Sequence, residues 1–515
     1  MIRENFSIIP KAGLLTNKKL NFQDFIIVLL LAAGVVLAII QFIFNRSLWN
    51  DEASLALNII EKSSQELFKP LDYQQVAPIL FLQVEKLFSL IYPNSEMGLR
   101  FFPLICYLAA LFTFLKLLRI LLKNQVAIIF ALSLFIFNPT IFYYSSEVKQ
   151  YMGDVLVVIA IYYLLRKNYN TENTRLFALS IAGSVSIFLS NVTPIILFAV
   201  GTFLAYEYFF VSNRSVIPLL KPFGLWVSFF SVYYVYFVYQ HPNRDYMIMF
   251  WSKLGTFMPA NPFDASFYQF LNRFFHDVFN SLLPFGIAGT VLFTILLITG
   301  LAIKIKQKDM GFLVLTLLPI FLHLVLSSFQ LYPVSPRLIL YFTPLLILIV
   351  SSGLDGLIQK VHINISPYFW WSALMLILVF TGTQFFREGF PFQRREIKKS
   401  IDYIQQNMKP NHQLFVDRTA DRVFRYYKSI GYYSAGVPEI YGFIQSEIRK
   451  KTKQPLTGKV WILSLGPKNH AFFRKQDIPE KYGFTIIEKY IAKGSNCYLI
   501  AFGNGIKQEY DSQDN

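Results

Sequence analysis

Apolar residues run along this chain in long, nearly unbroken blocks. They do not alternate as in a half-buried strand, nor do most of them recur on a single helical face. About twenty consecutive apolar residues, as a helix, cross the hydrocarbon core of a bilayer. Read that way, the pattern predicts about eleven spans, at residues 25–44, 101–118, 126–142, 151–165, 175–190, 193–210, 222–240, 280–303, 311–329, 338–354 and 367–385. Several are shorter than a full crossing and are expected either to tilt little or to sit inside the bundle. The first block ends in "FNRSLWNDEASLALNII", where two adjacent acids, Asp51 and Glu52, stand where the chain leaves the lipid.

Two connections are long. Residues 45–100 contain "ASLALNIIEKSSQELF" and "VAPILFLQVEKLFSLIY", both with apolar residues at helical spacing, and predict helices lying along the membrane surface. Residues 240–277 carry "HPNRDYMIMFWSKLGTFMPANPFD", whose aromatics suit an interfacial layer. After the last span the pattern changes to that of a soluble α/β module. "HQLFVD" and "KVWILSLG" read as buried strands, "ADRVFRYYKSIG" and "EIYGFIQSEIRKK" as amphipathic helices, and "FTIIEKYIAKGSNCYLIAFG" as a hairpin turning at Lys493–Ser495. The expected organisation is a polytopic α-helical transmembrane domain at residues 1–386 and an α/β domain at residues 387–515, with "QEYDSQDN" as a disordered tail.

Composition supports the membrane reading. The chain of 515 residues is 54% hydrophobic and 15% charged, with a mean hydropathy of +0.43. A soluble chain carries about a quarter charged residues. The net charge of +17 does not mark a nucleic-acid partner, because Lys and Arg collect at the ends of the apolar blocks. Arg3, Lys11, Lys18 and Lys19 precede the first span, and Arg119, Lys123, Arg166, Lys167, Arg214, Lys221, Lys304, Lys306, Lys308 and Lys360 fall on the same side, against few on the other. This positive-inside asymmetry predicts a plasma (inner) membrane protein with a cytoplasmic N-terminus, Asp51 and Glu52 outside, and an extracytoplasmic C-terminal domain. Cys106 and Cys497 are far apart and Cys106 lies in an apolar run, so neither a disulfide nor a cysteine metal site is expected.

Polar residues at the outer ends of the spans carry the candidate chemistry. "NDEAS" reads either as a helix start, with Asn50 or Asp51 as cap and Glu52 in the first turn, or as an acidic site. "NPTIFYYSSEVKQYMGD" puts Glu147 and Lys149 in a short outer loop and Asp154 at the next helix start. In "LYPVSPRLILYFTPLL", Arg337 sits at a helix start, where the macrodipole disfavours a cation. It either snorkels to headgroups or grips a phosphate with its planar fork, with Tyr332 and Tyr341 nearby. Glu96 and Arg100, four apart, are expected to pair along a helix. His241 and His276 match no metal spacing and read as interfacial.

"WNDEASLAL", "VAPILFLQVEKLF", "SEMGLRFFPLI", "NPTIFYYSSEVKQYMGD" and "PRLILYFTP" follow one another in an order that resembles membrane glycosyltransferases of the GT-C type. The resemblance is closest to the bacterial branch related to protein O-mannosyltransferases and the aminoarabinose transferases of lipid A, and it covers about the first 350 residues. It implies a sugar donor carried on a polyprenyl phosphate, transfer outside the cytoplasm and inversion at the anomeric carbon. It implies an essential acid in the block matched by Asp51 and Glu52, and a second in the block matched by Glu147. Lys149 stands where arginine is commoner, and "APILF" lacks the usual double proline.

Under this reading Asp51 is the base for an acceptor hydroxyl, and Glu52 or Glu147 positions the acceptor or holds a metal ion. Arg337 grips the leaving lipid phosphate, with Lys149, Arg244, Lys253 and Tyr332 behind it. Clustered carboxylates, Asp51 and Glu147 among them, are candidates to hold Mg²⁺ or Mn²⁺, and the sequence leaves metal dependence open. The partners implied are the lipid-linked donor, membrane lipid, and an acceptor that is a glycan, a lipid or a protein. The alternative is a transporter or flippase of lipid-linked sugars, but no internal repeat is evident and the acids lie at span ends.

Overall fold

A computed structural model describes residues 21–361, 367–434, 436–449, 458–474 and 477–502. The basic flank at Arg3–Lys19, the tail "QEYDSQDN" and the end of "EIYGFIQSEIRKK" lie outside the described residues.

The described helices of the first part are α1 (Phe22–Ile43), α2 (Asn50–Glu61), α3 (Ile79–Ile91), α4 (Glu96–Leu121), α5 (Gln125–Ile136), α6 (Pro139–Tyr144), α7 (Tyr151–Arg166), α8 (Glu172–Leu189), α9 (Thr193–Tyr206), α10 (Leu220–Tyr233), α11 (Arg244–Lys253), α12 (Ala265–Asp277), α13 (Gly286–Lys306), α14 (Met310–Ser328), α15 (Phe342–Val361) and α16 (Pro367–Arg387). Every predicted span falls on a helix. Eight helical segments among the described residues are long and apolar enough to cross a membrane. They are α1, α4, α9, α10, α13, α14, α15 and α16, with α9 and α10 extended by flanking turns. This is a multi-pass membrane protein. The other predicted spans correspond to the 12-residue α5, the 16-residue α7 and the 18-residue, more polar α8. Helix α5 is buried along nearly all its length, as expected for a short helix inside a bundle.

The predicted span at residues 126–142 is broken in two. Asn138 caps α6, its Oδ1 accepting from the backbone of Thr140 and Ile141 at 3.0 Å each. Pro139 follows at the first helical position, and a proline biases the residue before it away from helical geometry. The break turns Tyr143, Tyr144 and the Glu147 loop toward the end of the bundle where α2 begins.

Helices α2 and α3 form as predicted in the 45–100 connection, but α2 does not lie on a surface. Residues Glu52–Ile59 are all buried. Leu55, Leu57 and Ile59 are each 0% exposed, worth ~1.5–3 kcal/mol per side chain. What covers α2 is the C-terminal module. This contains α17 (Ile397–Asn407), β1 (His412–Asp417), α18 (Asp421–Ser429), β2 (Glu439–Gly442), α19 (Ile444–Arg449), β3 (Gly458–Leu465), α20 (Pro467–Arg474), α21 (Asp477–Tyr482), β4 (Phe484–Ala492) and β5 (Ser495–Phe502). The strand order is β2-β1-β3-β5-β4; β1 runs parallel to β2 and β3, and β5 antiparallel to β3 and β4. "EIYG", predicted as the start of a helix, is instead the strand β2. Its backbone pairs with β1 from Leu414↔Glu439 to Asp417↔Gly442, and that ladder outweighs the helical spacing of its side chains.

Helix α18 lies on α2 and is pinned to it by polar contacts. Asn50 Nδ2 donates to the Thr419 carbonyl at 2.6 Å and Arg422 Nη1 to Ser54 Oγ at 3.1 Å. The Leu48 amide donates to Tyr427 Oη at 2.9 Å. Both cysteines are buried and unpaired.

Candidate active site

The cap of helix α2 is Trp49, not the predicted Asn50 or Asp51. The Trp49 amide donates to Glu52 Oε2 at 3.3 Å, which frees Asp51 from any capping duty. Asp51 instead meets two cations from distant segments. Its Oδ2 lies 2.5 Å from Arg337 Nη1, and its Oδ1 lies 3.3 Å from Lys149 Nζ. Gln75 bridges the pair: its Nε2 donates to Asp51 Oδ1 at 3.3 Å, and its Oε1 accepts from Lys149 Nζ at 2.7 Å. Burial alone would raise the Asp51 pKa, but Lys149 and Arg337 together hold it at about 2.

Glu52 faces the other way and is wholly buried. Arg46 Nη1 binds it at 2.7 Å, Arg100 Nη2 at 3.3 Å and the Val148 amide at 3.2 Å. Burial would raise its pKa, and the two arginines more than reverse that. It ties the end of α1, the start of α4 and the Glu147 loop together. The predicted Glu96–Arg100 pair does not form. Arg100 turns inward to Glu52 and to the Arg46 carbonyl at 2.6 Å, while Glu96 takes Lys398 at 2.5 Å. Glu52, wholly buried on α2, reaches Arg100 across the helix interface, and a buried carboxylate gains most from a second guanidinium.

Glu147 comes to the same cluster. Its Oε1 accepts from Trp49 Nε1 at 3.3 Å. Its buried Oε2 has no hydrogen-bond partner, the nearest cation being Arg46 Nη2 at 3.9 Å. Burial, then the neighbouring Glu52 charge, raises its pKa above the usual carboxyl value of 4.5. Lys149, predicted to offset Glu147, pairs with Asp51. Burial lowers the Lys149 pKa, with Asp51 opposing.

Arg337 sits in the turn between α14 and α15. His323, on α14, holds that turn from both flanks. Its Nδ1 lies 3.0 Å from Tyr341 Oη and its Nε2 3.3 Å from the Pro333 carbonyl. The Arg337 guanidinium also lies 5.1 Å from the Trp251 ring and 5.8 Å from that of Trp49. Tyr332 packs edge-on against His323, with centroids 4.9 Å apart, and among the described residues it makes no hydrogen bond to Asp51 or Arg337. Arg244 stacks on Tyr239 at 5.5 Å and Lys253 is exposed. Neither is joined to the acids by any contact among the described residues. Both lie on α11, which reaches the site with Trp251 alone.

A further arginine, not singled out from the sequence, completes the cluster. Arg394 follows α16, and its guanidinium stands 4.6 Å from the Trp49 ring and 4.4 Å from that of Tyr143. Arg46 was likewise unmarked, although it stands beside the acids in "NRSLWNDE". Gln75 carries no sequence signal of its own. Around Asp51, Glu52 and Glu147 the structure thus gathers Arg46, Arg100, Lys149, Arg337 and Arg394, leaving an excess of positive charge.

This donor set does not fit a divalent cation. Both Asp51 oxygens are taken by cationic side chains, and Glu147 lies beside Arg46; a metal ion would have to displace and be repelled by the same groups. Among the described residues no cluster of three or more His, Cys, Asp or Glu could hold a metal. His241 accepts from the Asn243 amide at 3.2 Å, and His276 lies beside Asp277.

The architecture is known from another protein. ArnT from Cupriavidus metallidurans in the apo state superposes with a TM-score of 0.50 at 11% identity, covering 92% of this chain and 97% of that one. The fold is that of ArnT, a GT-C fold. The same protein bound to undecaprenyl phosphate aligns over the same shares at 11% identity with a TM-score of 0.47. No family model matches the chain, and no curated protein matches it.

Proposed function

We propose that this protein is an inverting glycosyltransferase that moves a sugar from a polyprenyl-phosphate donor to an extracytoplasmic acceptor. The observation that carries this reading is Asp51 clamped between Arg337 and Lys149. An acid and two cations from three segments of the chain converge beside helices that cross a membrane, and the fold is one that ArnT shares.

The resting pair is a masked base. Asp51 with a pKa of about 2 is a poor proton acceptor. A phosphate arriving at Arg337 and Lys149 competes for the charge that holds Asp51 down, and so raises its basicity where it is needed. The reaction then balances in one displacement. The acceptor hydroxyl oxygen bonds to the anomeric carbon, its proton passes to Asp51, and the bond from the anomeric carbon to the phosphate oxygen breaks with its electron pair. The donor phosphodiester carries one negative charge and the released lipid phosphate gains a second, so fixed cations bind the products of bond breaking better than the donor. Glu147, with one oxygen unpartnered, orients the acceptor. Glu52 holds the three segments in register. No metal ion is needed in this scheme, because guanidinium and ammonium groups already stand where one would bind.

The test is transfer of labelled sugar from a polyprenyl-phosphate donor by the purified protein in liposomes, with membrane glycans, lipids and proteins as acceptors. Transfer that survives Asp51→Asn unchanged would remove Asp51 from the chemistry. Movement of the donor across the bilayer without any transfer would instead identify a transporter.

A further inference from the structure

Gln75 enters the site from a strained turn. Between α2 and α3, Tyr73 and Gln74 take φ values of +59° and +52°. Neither is glycine, and residues with a side chain hold that left-handed conformation only where their surroundings impose it. The next residue is Gln75, whose amide sits between Asp51 and Lys149. An ammonium can only donate, so the amide oxygen faces Lys149 and the amide nitrogen faces Asp51. That nitrogen has two hydrogens and places both, on Asp51 Oδ1 at 3.3 Å and on the Tyr73 carbonyl at 3.2 Å. The plane of the amide is therefore set by where the turn points the Tyr73 carbonyl. Were Tyr73 and Gln74 to leave the left-handed region, that carbonyl would swing away and release the amide from the two charges.

Part of the hold on this turn comes from α2. The Asp72 amide donates to Asn58 Oδ1 at 2.8 Å, Asn58 Nδ2 donates back to the Asp72 carbonyl at 3.2 Å, and Lys62 pairs with the Asp72 carboxylate at 2.8 Å. These contacts fix the first residue of the turn. The left-handed pair itself is gripped from the C-terminal module. Arg422, on α18, donates from Nη2 to Gln74 Oε1 at 3.4 Å, and its guanidinium stands 5.5 Å from the Tyr73 ring. Its Nη1 donates to Ser54 Oγ at 3.1 Å, and Ser54 Oγ donates in turn to the Asn50 carbonyl at 2.6 Å. One side chain thus ties both left-handed residues to the first turn of α2, the turn that carries Asp51. The neighbouring Asp421 is engaged by Arg425, and among the described residues the hydrogen bonds of Arg422 go to neutral oxygens, a contact set that fixes geometry.

We propose that Arg422 is a positioning residue for sugar transfer: by clamping the turn at residues 72–75 from the C-terminal module, it keeps the Gln75 amide between Asp51 and Lys149. The two charges share that amide unequally. Lys149 Nζ lies 2.7 Å from Gln75 Oε1 but 3.3 Å from Asp51 Oδ1, and a charge-assisted bond closes to about 2.7–2.9 Å. The shortest bond of the ammonium therefore goes to a neutral oxygen. With the amide released, Lys149 closes on Asp51; the acid becomes a weaker base, and the cation is less free to answer a phosphate that gains charge. The proposal rests on the glycosyltransferase reading for the reaction, but the clamp itself does not. It gives the C-terminal module a task beyond covering α2, which is to complete the geometry of the acid and its cation.

The experiment has two readouts on the full-length protein in nanodiscs: amide hydrogen exchange across residues 71–78, and steady-state sugar transfer. Arg422→Ala is expected to speed exchange in that segment by about tenfold or more. It is expected to lower kcat by about tenfold or more while KM for the donor stays within about threefold. Gln74→Gly is the discriminating variant, because glycine adopts the left-handed conformation without a clamp. Added to Arg422→Ala, it is expected to restore most of kcat, whereas a loss caused by a loosened module would not be restored. Arg422→Ala added to Gln75→Ala is expected to cost no more than Gln75→Ala alone. Where Arg422→Ala does not fold, Arg422→Lys and Arg422→Gln carry the comparison. Unchanged exchange in folded variants overturns the proposal, as does faster exchange with unchanged kcat, or a loss of kcat that Gln74→Gly leaves in place. Absence of transfer by the unmodified protein overturns the glycosyltransferase reading instead, and the exchange result then decides the clamp by itself.

Discussion

Arg337 Nη1 lies 2.5 Å from Asp51 Oδ2, closing a separation of 286 residues. The pair sets the resting state of the site, since the cation that suits a leaving phosphate is spent on the acid that suits a base. Neither is fully effective until a phosphate separates them.

Removing either partner should therefore be costly in different ways. Asp51→Asn is expected to lower kcat by about 10²–10⁴ with little change in donor affinity, as for loss of a general base. Arg337→Ala is expected to lower kcat by about 10²–10³, and Arg337→Lys less, because charge matters more than the fork once the phosphate is dianionic. Sugar transfer in liposomes measures both.

The pH dependence should report Glu147, not Asp51. In the free protein Asp51 stays ionised down to about pH 2, whereas the Glu147 pKa is raised above 4.5. As pH falls, Glu147 takes up its proton first and kcat/KM drops through that raised pKa. Glu147→Gln should remove this acid limb, and a limb unchanged in that variant would sink the assignment. For stability the Asp51 sign is the usual one for a depressed carboxyl. Its contribution is full above its ordinary value of 3.8 and is lost as pH falls toward 2.

Chelation separates the charge-only site from a metal site. Incubation with EDTA, followed by assay without added divalent ions, is expected to leave transfer unchanged. A tenfold loss restored by Mg²⁺ or Mn²⁺ would show that ligands other than the present Asp51 set assemble on substrate binding.

Glu52→Ala should act on folding before chemistry. It strands Arg46 and Arg100, both buried, and breaking a buried pair of this kind costs about 3–5 kcal/mol. The expected outcome is a sharply lowered melting temperature and poor recovery of folded protein. A stable, inactive Glu52→Ala variant would instead place Glu52 in the reaction.

The C-terminal module should prove part of the site. Tyr427→Phe leaves the buried Leu48 amide without its acceptor at 2.9 Å, at a cost of about 1–3 kcal/mol. Truncation near residue 387 removes the cover from α2, and is expected to abolish transfer and expose the 45–100 connection to protease. Retained activity after truncation would make the module an accessory.

Much of this architecture was legible along the chain because it depends on local quantities. Block length and apolarity place a helix across a bilayer whatever its neighbours, so every predicted span lies on a helix. The hairpin at the end of the chain, with its turn at Lys493–Gly494, is likewise written in alternation and turn residues. Asp51, Glu147, Lys149 and Arg337 stood out because charge is rare at the ends of apolar blocks.

Pairing was not legible, because it is decided by which segments meet in space. Glu96 and Arg100 satisfy the helical spacing for an ion pair, yet Arg100 pairs with Glu52 and Glu96 with Lys398, since both are buried and each is satisfied by the segment packed against it. Gln75 and Arg394 become parts of the site only through positions hundreds of residues away or across a loop, and Arg244 and Lys253 drop out for the same reason. The sequence by itself determined that this chain crosses a membrane many times and carries acids and cations at span ends. The tertiary structure alone decided which cation answers which acid, because charge pairing follows distance through space and not distance along the chain.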